Sequence, residues 1–368
     1  MGIAVAGLAA LAVAMGIGRF AFTPLLPMMQ QDAGLSVAAG GWLASANYLG
    51  YLAGALWAGA QRVDSSIAIR AGLATIGIVT LAMAFDAGFA SWAILRLAAG
   101  VASAWVLVHT SAWVLERIAP LGQPLLSGVL FAGVGTGIVV AGSVCLLLMA
   151  QHAASSTAWL VLGVVSIAIT AVLWPVFRFS KERAEASSGP HRWSWDQARL
   201  VVAYGAYGFG YIIPATFLPV MAREVVSDPA VFGWAWPAFG AAAALSTLAV
   251  ALLSGSYSNR AAWIGSHVVM ALGVAAPAFW PGIAGILFAA LCVGGTFVVI
   301  TMVGMQEARA VAGAQAPRLM AAMTAAFAAG QIAGPLAVSF LVGVGGGFSA
   351  ALLAACAVLV AGAALLLR

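Results

Sequence analysis

The sequence has very few charged residues. They make up 7% of its 368 positions, whereas 64% of the positions are hydrophobic and the mean hydropathy is +1.08. Soluble domains carry roughly 25% charged residues, so water cannot be the main solvent of this chain. The shortage of charge excludes an ordinary soluble enzyme or binding domain and predicts an integral membrane protein.

The sequence also lacks the groups that enzymes and metalloproteins use. Its three cysteines lie in apolar segments and match no metal-binding or disulfide spacing. The apolar segments hold no paired carboxylates, no Cys/His metal set and no serine with a base at a usable spacing. We therefore expect no catalysis, no cofactor and no metal. The net charge of +5 is interpreted as a signal of membrane topology, not of nucleic-acid binding.

Long apolar runs are present instead, and each is close to the roughly 20 residues that a helix needs to cross a bilayer. Runs of this length without alternation exclude a β-barrel. The opening run lacks the positive residues that begin a signal peptide, so we assign it to the first span. Cutting the chain at polar and Gly/Pro clusters predicts twelve spans, near 3–28, 38–60, 67–86, 89–114, 124–150, 157–177, 198–221, 230–253, 262–279, 282–305, 318–342 and 348–367.

Lysine and arginine are divided very unequally between the two sets of alternate loops. One set has only Arg223, and it also contains the acidic Asp32, Asp86, Glu224 and Asp228. Because positive loops stay in the cytoplasm, the other set is predicted to be cytoplasmic, together with both termini. That set contains Arg62, Arg70, Arg117, Arg178, Lys181, Arg183, Arg192, Arg199, Arg260, Arg309, Arg318 and Arg368.

The two halves of the chain repeat one another at an offset of 192 residues. A polar segment, 178–197, lies between them and is predicted to be a cytoplasmic linker. We expect six helices in 1–177 and six in 198–368, arranged as two pseudo-symmetric bundles. Transporters built from repeated halves bind their substrate between the halves near the midplane. The matching residues are Gly16 with Gly208, Gly18 with Gly210, Pro27 with Pro219, and the Gly-Trp pair at 41–42 with the pair at 233–234.

Two segments resemble a known transporter family. The segment from Gly16 to Met29, GIGRFAFTPLLPMM, resembles the signature of the YbfB/YjiJ-type branch of the major facilitator superfamily, and Arg96 to Gly100 is similar to the R-x-x-x-G motif of that superfamily. The resemblance covers the whole chain and implies the twelve-helix fold of a transporter. It does not extend to the loop at 59–65, where the Gly/Asp/Arg pattern is incomplete, or to the Gly-Pro antiporter motif, which the fifth span lacks.

Three ionisable residues stand out within the predicted spans: Arg19, Arg96 and His109. An arginine at the centre of a membrane costs about 2.5 to 3.5 kcal/mol on insertion scales and is usually functional. Arg19 and Arg96 are predicted at matching depth, roughly 10 to 14 Å below the outer surface, with no carboxylate at their level. Since a guanidinium can bind a carboxylate with two hydrogen bonds, we hypothesise that they bind an anionic substrate. Bracing of helix ends without substrate contact is the alternative.

Other polar and aromatic residues recur at helical spacing and are predicted to line the same cavity. They are Asn47 and Tyr51 on the second span, Tyr204, Tyr207 and Tyr211 on the seventh, and Thr324 and Gln331 on the eleventh. Packing inside a bundle is the alternative for each of them. His109 and Glu116, at the cytoplasmic end of the fourth span, are candidates for proton coupling, and a packing role is the alternative for His109.

Together these features predict a secondary transporter of a bacterial inner membrane that works as a monomer by alternating access. An inside-negative potential favours outward movement of an anion by about 2.3 kcal/mol per charge per 100 mV, so export needs no coupling residue. Efflux or exchange of a small organic anion is the preferred hypothesis. Proton-coupled uptake, and efflux of a non-anionic drug or metabolite, stay open. A non-transporting receptor is less favoured, because the sequence offers no soluble domain that would deliver a signal.

Overall fold

A computed structural model of the chain describes residues 1–61, 63–85, 88–177, 194–225, 229–343 and 347–367. Most of the predicted linker lies outside these residues, so the division into 1–177 and 198–368 stays a prediction. The same holds for part of the charge count that sets the predicted orientation, because Arg62, Asp86, Asp228, Arg368 and the basic residues of 178–192 are outside the described ranges.

The described residues form twelve long helices, and no strand occurs among them. Every helix overlaps one predicted span, which confirms the all-α membrane fold. By length and composition, nine stretches of the described residues can cross a membrane, and the longest of these contains two helices. The helices are α1 Gly2–Asp32, α2 Val37–Ala60, α3 Ser65–Ala82, α4 Phe89–Ile118, α5 Leu125–Ala150, α6 Ser155–Leu173, α7 Trp195–Val225, α8 Pro229–Leu253, α9 Asn259–Phe279, α10 Ile283–Ala312, α11 Ala316–Gly343 and α12 Gly347–Leu365.

Several helices begin at polar or glycine residues that also separate the apolar runs. Ser36, Asp64 and Ser258 precede α2, α3 and α9, and their side-chain oxygens accept hydrogen bonds from N–H groups of the first turn. Gly88 and Gly282 precede α4 and α10 with φ angles of 86° and 106°, which residues with a side chain adopt only with strain. The helix starts therefore follow from local chemistry that is visible in the sequence.

The helix pairings of the first six helices recur in the last six. Helix α1 packs on α5 as α7 packs on α11, α2 on α4 as α8 on α10, and α3 on α6 as α9 on α12. Two further pairs, α5 with α8 and α2 with α11, join the two groups. The molecule is thus two pseudo-symmetric six-helix bundles in contact along two seams.

Helix α5 has one glycine face toward α1 and a second toward α8. A Cβ on Gly137 would lie 2.3 Å from a carbonyl oxygen of α1, and a Cβ on Gly135 would lie 2.4 Å from the carbonyl oxygen of Gly240 in α8. Gly128 and Gly142, seven residues before and after Gly135, also face α8. Because small residues allow helix backbones to touch in lipid, α5 joins its own bundle closely to the other.

Candidate functional site

A small buried cavity of about 20 Å³ lies between the two bundles. This is room for about one water molecule, so the bundles must separate before a larger molecule can enter. Helices α1, α2, α4 and α5 of one bundle and α7, α10 and α11 of the other supply its walls. The lining side chains include Arg19, Phe20, Tyr51, Tyr204, Tyr207, Phe297, Thr301 and Phe327.

Arg19 of α1 is the cation of this cavity. It is only 3% exposed, and its Nη2 donates a hydrogen bond to Oε1 of Gln331 on α11. Its guanidinium carbon lies 4.0 Å from the centre of the Tyr51 ring, a cation–π contact that is worth about 2 kcal/mol when it is shielded from water. Among the described residues, Nε and Nη1 of Arg19 have no hydrogen-bond partner, and no carboxylate forms an ion pair with it.

Arg19 lies in a π-helical segment of α1, Ala12–Phe20. Such segments are rare and are found frequently at functional sites. Pro24 follows shortly after the segment, and because it has no N–H it cannot bond the carbonyl of residue 19 or 20. The backbone of α1 therefore has carbonyl groups here that another helix can satisfy.

Arg96 of α4 bonds to this backbone and does not line the cavity. Its Nη1 and Nη2 donate to the carbonyls of Gly18 and Arg19, both at 3.2 Å. Seven residues further along α4, Ser103 Oγ donates to a carbonyl nearer the start of the π-helical segment, at 2.8 Å. The two arginines are close together, since Arg96 bonds the carbonyl of Arg19, but their side chains have different partners. Substrate contact by Arg96 stays a prediction.

Asn47 and Thr324 are placed away from the described lining of the cavity. Asn47 Nδ2 donates to the carbonyl of Arg96 at 2.9 Å, which ties α2 to α4. A Cβ on Gly100 would lie 2.1 Å from the carbonyl oxygen of Asn47, so glycine at this point of the R-x-x-x-G motif permits the close approach. Thr324 Oγ1 donates to a carbonyl of its own helix at 2.7 Å. Their predicted contact with a substrate is untested.

The three tyrosines of α7 lie on one buried face. The Tyr204 and Tyr207 ring centres are 5.4 Å apart, and those of Tyr207 and Tyr211 are 5.8 Å apart. The ring centre of Phe327 in α11 lies 4.8 Å from the ring centre of Tyr207 and 6.4 Å from that of Tyr51 in the other bundle. Aromatic rings of the two bundles thus meet at the cavity.

Four further aromatic residues lie at the site but were not predicted from the sequence: Tyr48, Phe20, Phe297 and Phe327. Tyr48, whose ring centre is 5.7 Å from the Arg19 guanidinium carbon, precedes Tyr51 by three residues, so helical spacing could have identified it. The phenylalanines carry no comparable signal, because a single phenylalanine in an apolar span is as compatible with lipid or packing as with a cavity.

The set of three ionisable residues predicted within the spans omitted His267, which is fully buried in α9. It falls inside the predicted span 262–279, and its Nδ1 lies 3.2 Å from the carbonyl oxygen of Trp263. The Nδ1 of His109 lies 3.2 Å from Ser65 Oγ. Glu116 has 59% of its side chain exposed at the end of α4. None of these residues lines the described cavity, and a proton-coupling role for His109 and Glu116 stays a prediction.

No group of three or more His, Cys, Asp or Glu side chains in the described ranges is placed to hold a metal ion. A larger cavity, about 200 Å³, is present at the opposite end of the first bundle from the predicted cytoplasmic loops. It lies beside Asp32, whose carboxylate accepts a hydrogen bond from Ser155 Oγ at 2.9 Å. Because this cavity lies within one bundle, relative motion of the two bundles would not open and close it alternately.

The predicted cytoplasmic end has two polar clusters. Gln306 Nε2 of α10 donates to Ser127 Oγ of α5 at 2.5 Å, which links the bundles. Arg260, at the start of α9, forms ion pairs with Asp196 of α7 at 2.5 Å and Glu307 of α10 at 2.6 Å. The hydrogen bonds from Arg260 lower the pKa of Asp196 and raise the pKa of Arg260 itself.

Comparison with known proteins identifies the family. Residues 11–367 match the family model described as "Uncharacterised MFS-type transporter YbfB". A gallate transporter of Pseudomonas putida is 27% identical over 215 residues, which cover 57% of this chain and 47% of that protein. The "Uncharacterized MFS-type transporter YceJ" of Bacillus subtilis (strain 168) is 34% identical over 93 residues, 25% of this chain and 24% of that protein. The chain therefore aligns with half or less of the length of these relatives.

Solved structures share the fold over nearly the full chain. The human organic anion transporter MFSD10 (TETRAN) has a TM-score of 0.75 at 14% identity and covers 99% of both chains. The major facilitator transporter FucP in its outward conformation has a TM-score of 0.75 at 14% identity, with 99% of this chain and 98% of that chain covered. These likenesses concern the fold alone. The family match over residues 11–367 shows that this chain belongs to the YbfB-type family of major facilitator transporters.

Proposed function

We propose that the protein is a secondary active transporter that moves a small organic anion out of the cell, by efflux or exchange. It works as a monomer in a bacterial inner membrane, with both termini in the cytoplasm. The observation that carries the proposal is the state of Arg19. Its guanidinium lies in the cavity between the bundles, and within the described residues it has an amide, not a carboxylate, as its hydrogen-bond partner.

An anion is the substrate that fits this arrangement best. Arg19 Nε and Nη1 are buried donors without a partner in the described structure, and so is Nε2 of Gln331. A carboxylate can accept two parallel hydrogen bonds from a guanidinium, and it would compensate a charge that is costly to bury. A cationic substrate would be repelled by the same group. The relative from P. putida, named a gallate transporter, supports an anionic class, since gallate is a carboxylate.

The position of these contacts supports alternating access as the transport mechanism. Arg19 belongs to one bundle and Gln331 to the other, so a substrate that binds at this point contacts both. A ligand shifts the equilibrium between two conformations only if it binds one of them more tightly than the other. A substrate that contacts both bundles has such a difference in affinity, because the contacts change when the bundles move apart. Outward movement of the anion is then favoured by the membrane potential.

Proton-coupled uptake is the second candidate. The specific observation in its favour is the pair of buried histidines, His109 in the first bundle and His267 in the second. Imidazole is the side chain whose ordinary titration falls near neutral pH. Uptake that is driven by an imposed pH gradient and lost in a His109→Gln or His267→Gln variant would replace efflux as the assignment.

The test is counterflow in liposomes with benzoate, gallate, lactate and succinate as separate labelled substrates. Wild-type protein is expected to exchange at least one of them, and Arg19→Gln is expected to reduce that exchange to the background of empty liposomes while inserting normally. Arg70→Gln is the matched control, because Arg70 bonds the carbonyl of Trp174 away from the cavity, at 2.7 Å. Equal exchange by wild type and Arg19→Gln, or thermal stabilisation by organic cations alone, would overturn the proposal.

A further inference from the structure

Six of the twelve residues that line the central cavity are aromatic, and they come from both bundles. Of these six, Phe297 stacks on two rings outside the lining, with ring centres 5.3 Å from Tyr211 at an interplanar angle of 16° and 5.0 Å from Phe239 at 18°. Phe20 of the first bundle meets Phe297 edge to face at 6.0 Å. Aromatic rings attract one another in stacked and edge-to-face geometries beyond the effect of the area they bury. These walls favour a flat aromatic ring over an aliphatic chain of equal size.

The charge in the cavity indicates how many negative groups the ligand carries. Arg19 lines the cavity, whereas both terminal nitrogens of Arg96 donate to backbone carbonyls of α1. Within the described residues, the cavity thus presents one guanidinium. A second carboxylate on the ligand would be buried against rings without compensation, which is costly. A single negative charge is the best match.

Two hydroxyl groups lie at the α10 side of the cavity. Tyr207 Oη donates to the carbonyl of Phe297 at 2.7 Å and lies 3.5 Å from Thr301 Oγ1. Thr301 Oγ1 in turn lies 3.2 Å from the same carbonyl. Hydroxyl groups can both donate and accept, so they can pair with a hydroxyl on the ring of a ligand. A phenolic substituent is therefore compatible with this wall.

We infer that the substrate is a planar aromatic monocarboxylate, with its carboxylate on Arg19 and its ring between the aromatic side chains of the two bundles. The inference rests on the proposed function, because it names the chemical class of the anion that the same cavity binds. It goes further in excluding aliphatic acids and dianions as the preferred substrates.

Four probe molecules test the two parts of the inference on purified full-length protein by calorimetric titration. They are 4-hydroxybenzoate, the non-aromatic 4-hydroxycyclohexanecarboxylate, the uncharged 4-hydroxybenzamide and the doubly charged terephthalate. We expect 4-hydroxybenzoate to bind about tenfold more tightly than the cyclohexane acid, which corresponds to about 1.4 kcal/mol. The amide and the dianion are expected to bind more weakly still.

Each other result has a definite meaning. Equal binding and counterflow of the two monocarboxylates would overturn the aromatic class and leave anion transport standing. Equal binding of terephthalate would overturn the single charge. If none of the four probes binds, the inference is wrong, and lactate or succinate counterflow then decides the proposed function separately.

A pair of phenylalanine variants on α11 tests the ring contact directly. Phe327→Leu removes a ring of the cavity wall, whereas Phe340→Leu changes a phenylalanine of the same helix that is 68% exposed. Loss of one stacking partner is expected to weaken 4-hydroxybenzoate binding about fivefold to tenfold and to affect the cyclohexane acid much less. Phe340→Leu should leave both affinities unchanged. An equal loss for both ligands in Phe327→Leu would indicate a packing role and contradict the inference.

Discussion

The arginine of the central cavity and the arginine at the predicted cytoplasmic end have opposite kinds of partner. Arg19 lies 3% exposed between the bundles and bonds to the neutral amide of Gln331. Arg260 is partly exposed and bonds to the carboxylates of Asp196 and Glu307, with nitrogen–oxygen distances of 2.5 and 2.6 Å. Arg260, whose charge costs less because water reaches it, thus has two counter-charges. Arg19, whose buried charge costs more, has none among the described residues.

This difference separates a structural charge from one that is available to a ligand. The carboxylates around Arg260 already satisfy its charge, so it ties α7, α9 and α10 of one bundle together. A carboxylate beside Arg19 would do the same and would leave an anion nothing to compensate. Because ionisable groups inside membranes are kept mainly for function, an amide partner is what we expect of a binding site whose counter-charge is the substrate.

The largest effect is expected when Arg19 is given the kind of partner that Arg260 has. In Gln331→Glu the new carboxylate would pair with Arg19 and compete with the anion. We expect affinity for the transported anion to fall by about a hundredfold, or about 2.7 kcal/mol, while the thermal unfolding midpoint is kept or raised. Titration calorimetry and a thermal melt measure the two quantities.

Gln331→Leu is the control for this change, because it removes the amide without adding charge, and its loss of affinity should be less than tenfold. Wild-type affinity in Gln331→Glu would contradict the view that Arg19 needs a neutral neighbour.

An intermediate effect is expected at Arg96, which resembles Arg19 in burial but bonds to the backbone. Arg96→Gln should lower the unfolding midpoint by several degrees, because hydrogen bonds to charged groups are worth about 1.5 to 3 kcal/mol. Anion affinity should fall by about tenfold at most, since Arg19 itself stays in place. The same two measurements, made beside Arg19→Gln, distinguish the roles.

Ser103→Ala offers a milder form of the same change, because it removes one hydrogen bond to the π-helical segment of α1. It should lower the unfolding midpoint less and leave affinity nearly unchanged. A loss of affinity in Arg96→Gln as large as that in Arg19→Gln would show that Arg96 contacts the substrate.

The smallest effect is expected at the cytoplasmic ion pairs and depends on pH. The pKa of Asp196 is lowered by its hydrogen bonds from Arg260, so its contribution to stability is present above the ordinary carboxyl pKa of about 3.9 and is lost as the pH falls below it. With 37% of the Asp196 side chain exposed, screening limits the contribution to less than about 1 kcal/mol. Asp196→Asn should therefore melt slightly below wild type at pH 7.

Melting curves between pH 7 and pH 3 measure this difference, which should narrow toward the acid end while anion affinity at pH 7 is unchanged. A gap that widens on acidification would contradict a stabilising Asp196 carboxylate.

Most of the fold could be predicted because each helix is a local property of its own apolar segment. Every observed helix overlaps a predicted span, and the largest differences are at ends that leave the membrane. Helix α10 runs to Ala312, well beyond the predicted end at 305, because a helix can continue past the apolar run that signals it. Helices α3 and α6 end at Ala82 and Leu173, before the predicted ends at 86 and 177. The π-helical turn at Ala12–Phe20 was not predicted, since its glycines and the following Pro24 also suit an ordinary helix.

The candidate site could be predicted only in part. Arg19 stands out in the sequence because a charge in an apolar span is costly, and Tyr51, Tyr204 and Tyr207 follow from helical spacing. Phe297 and Phe327 have no such signal, although both line the cavity. The partner of Arg19 is Gln331, which lies 312 positions further along the chain and in the other bundle. A single sequence contains no information on a pairing over such a distance.

The sequence by itself determined that this chain crosses the membrane many times as helices, because long uncharged runs in lipid must satisfy their own backbone hydrogen bonds. It also singled out two arginines of equal type and similar depth. Only the tertiary structure decided that Arg19 faces the cavity between the bundles and that Arg96 faces the backbone of α1. The reason is that the two side chains differ only in the neighbouring helix that supplies the acceptor, and that neighbour is set by the packing of the whole molecule.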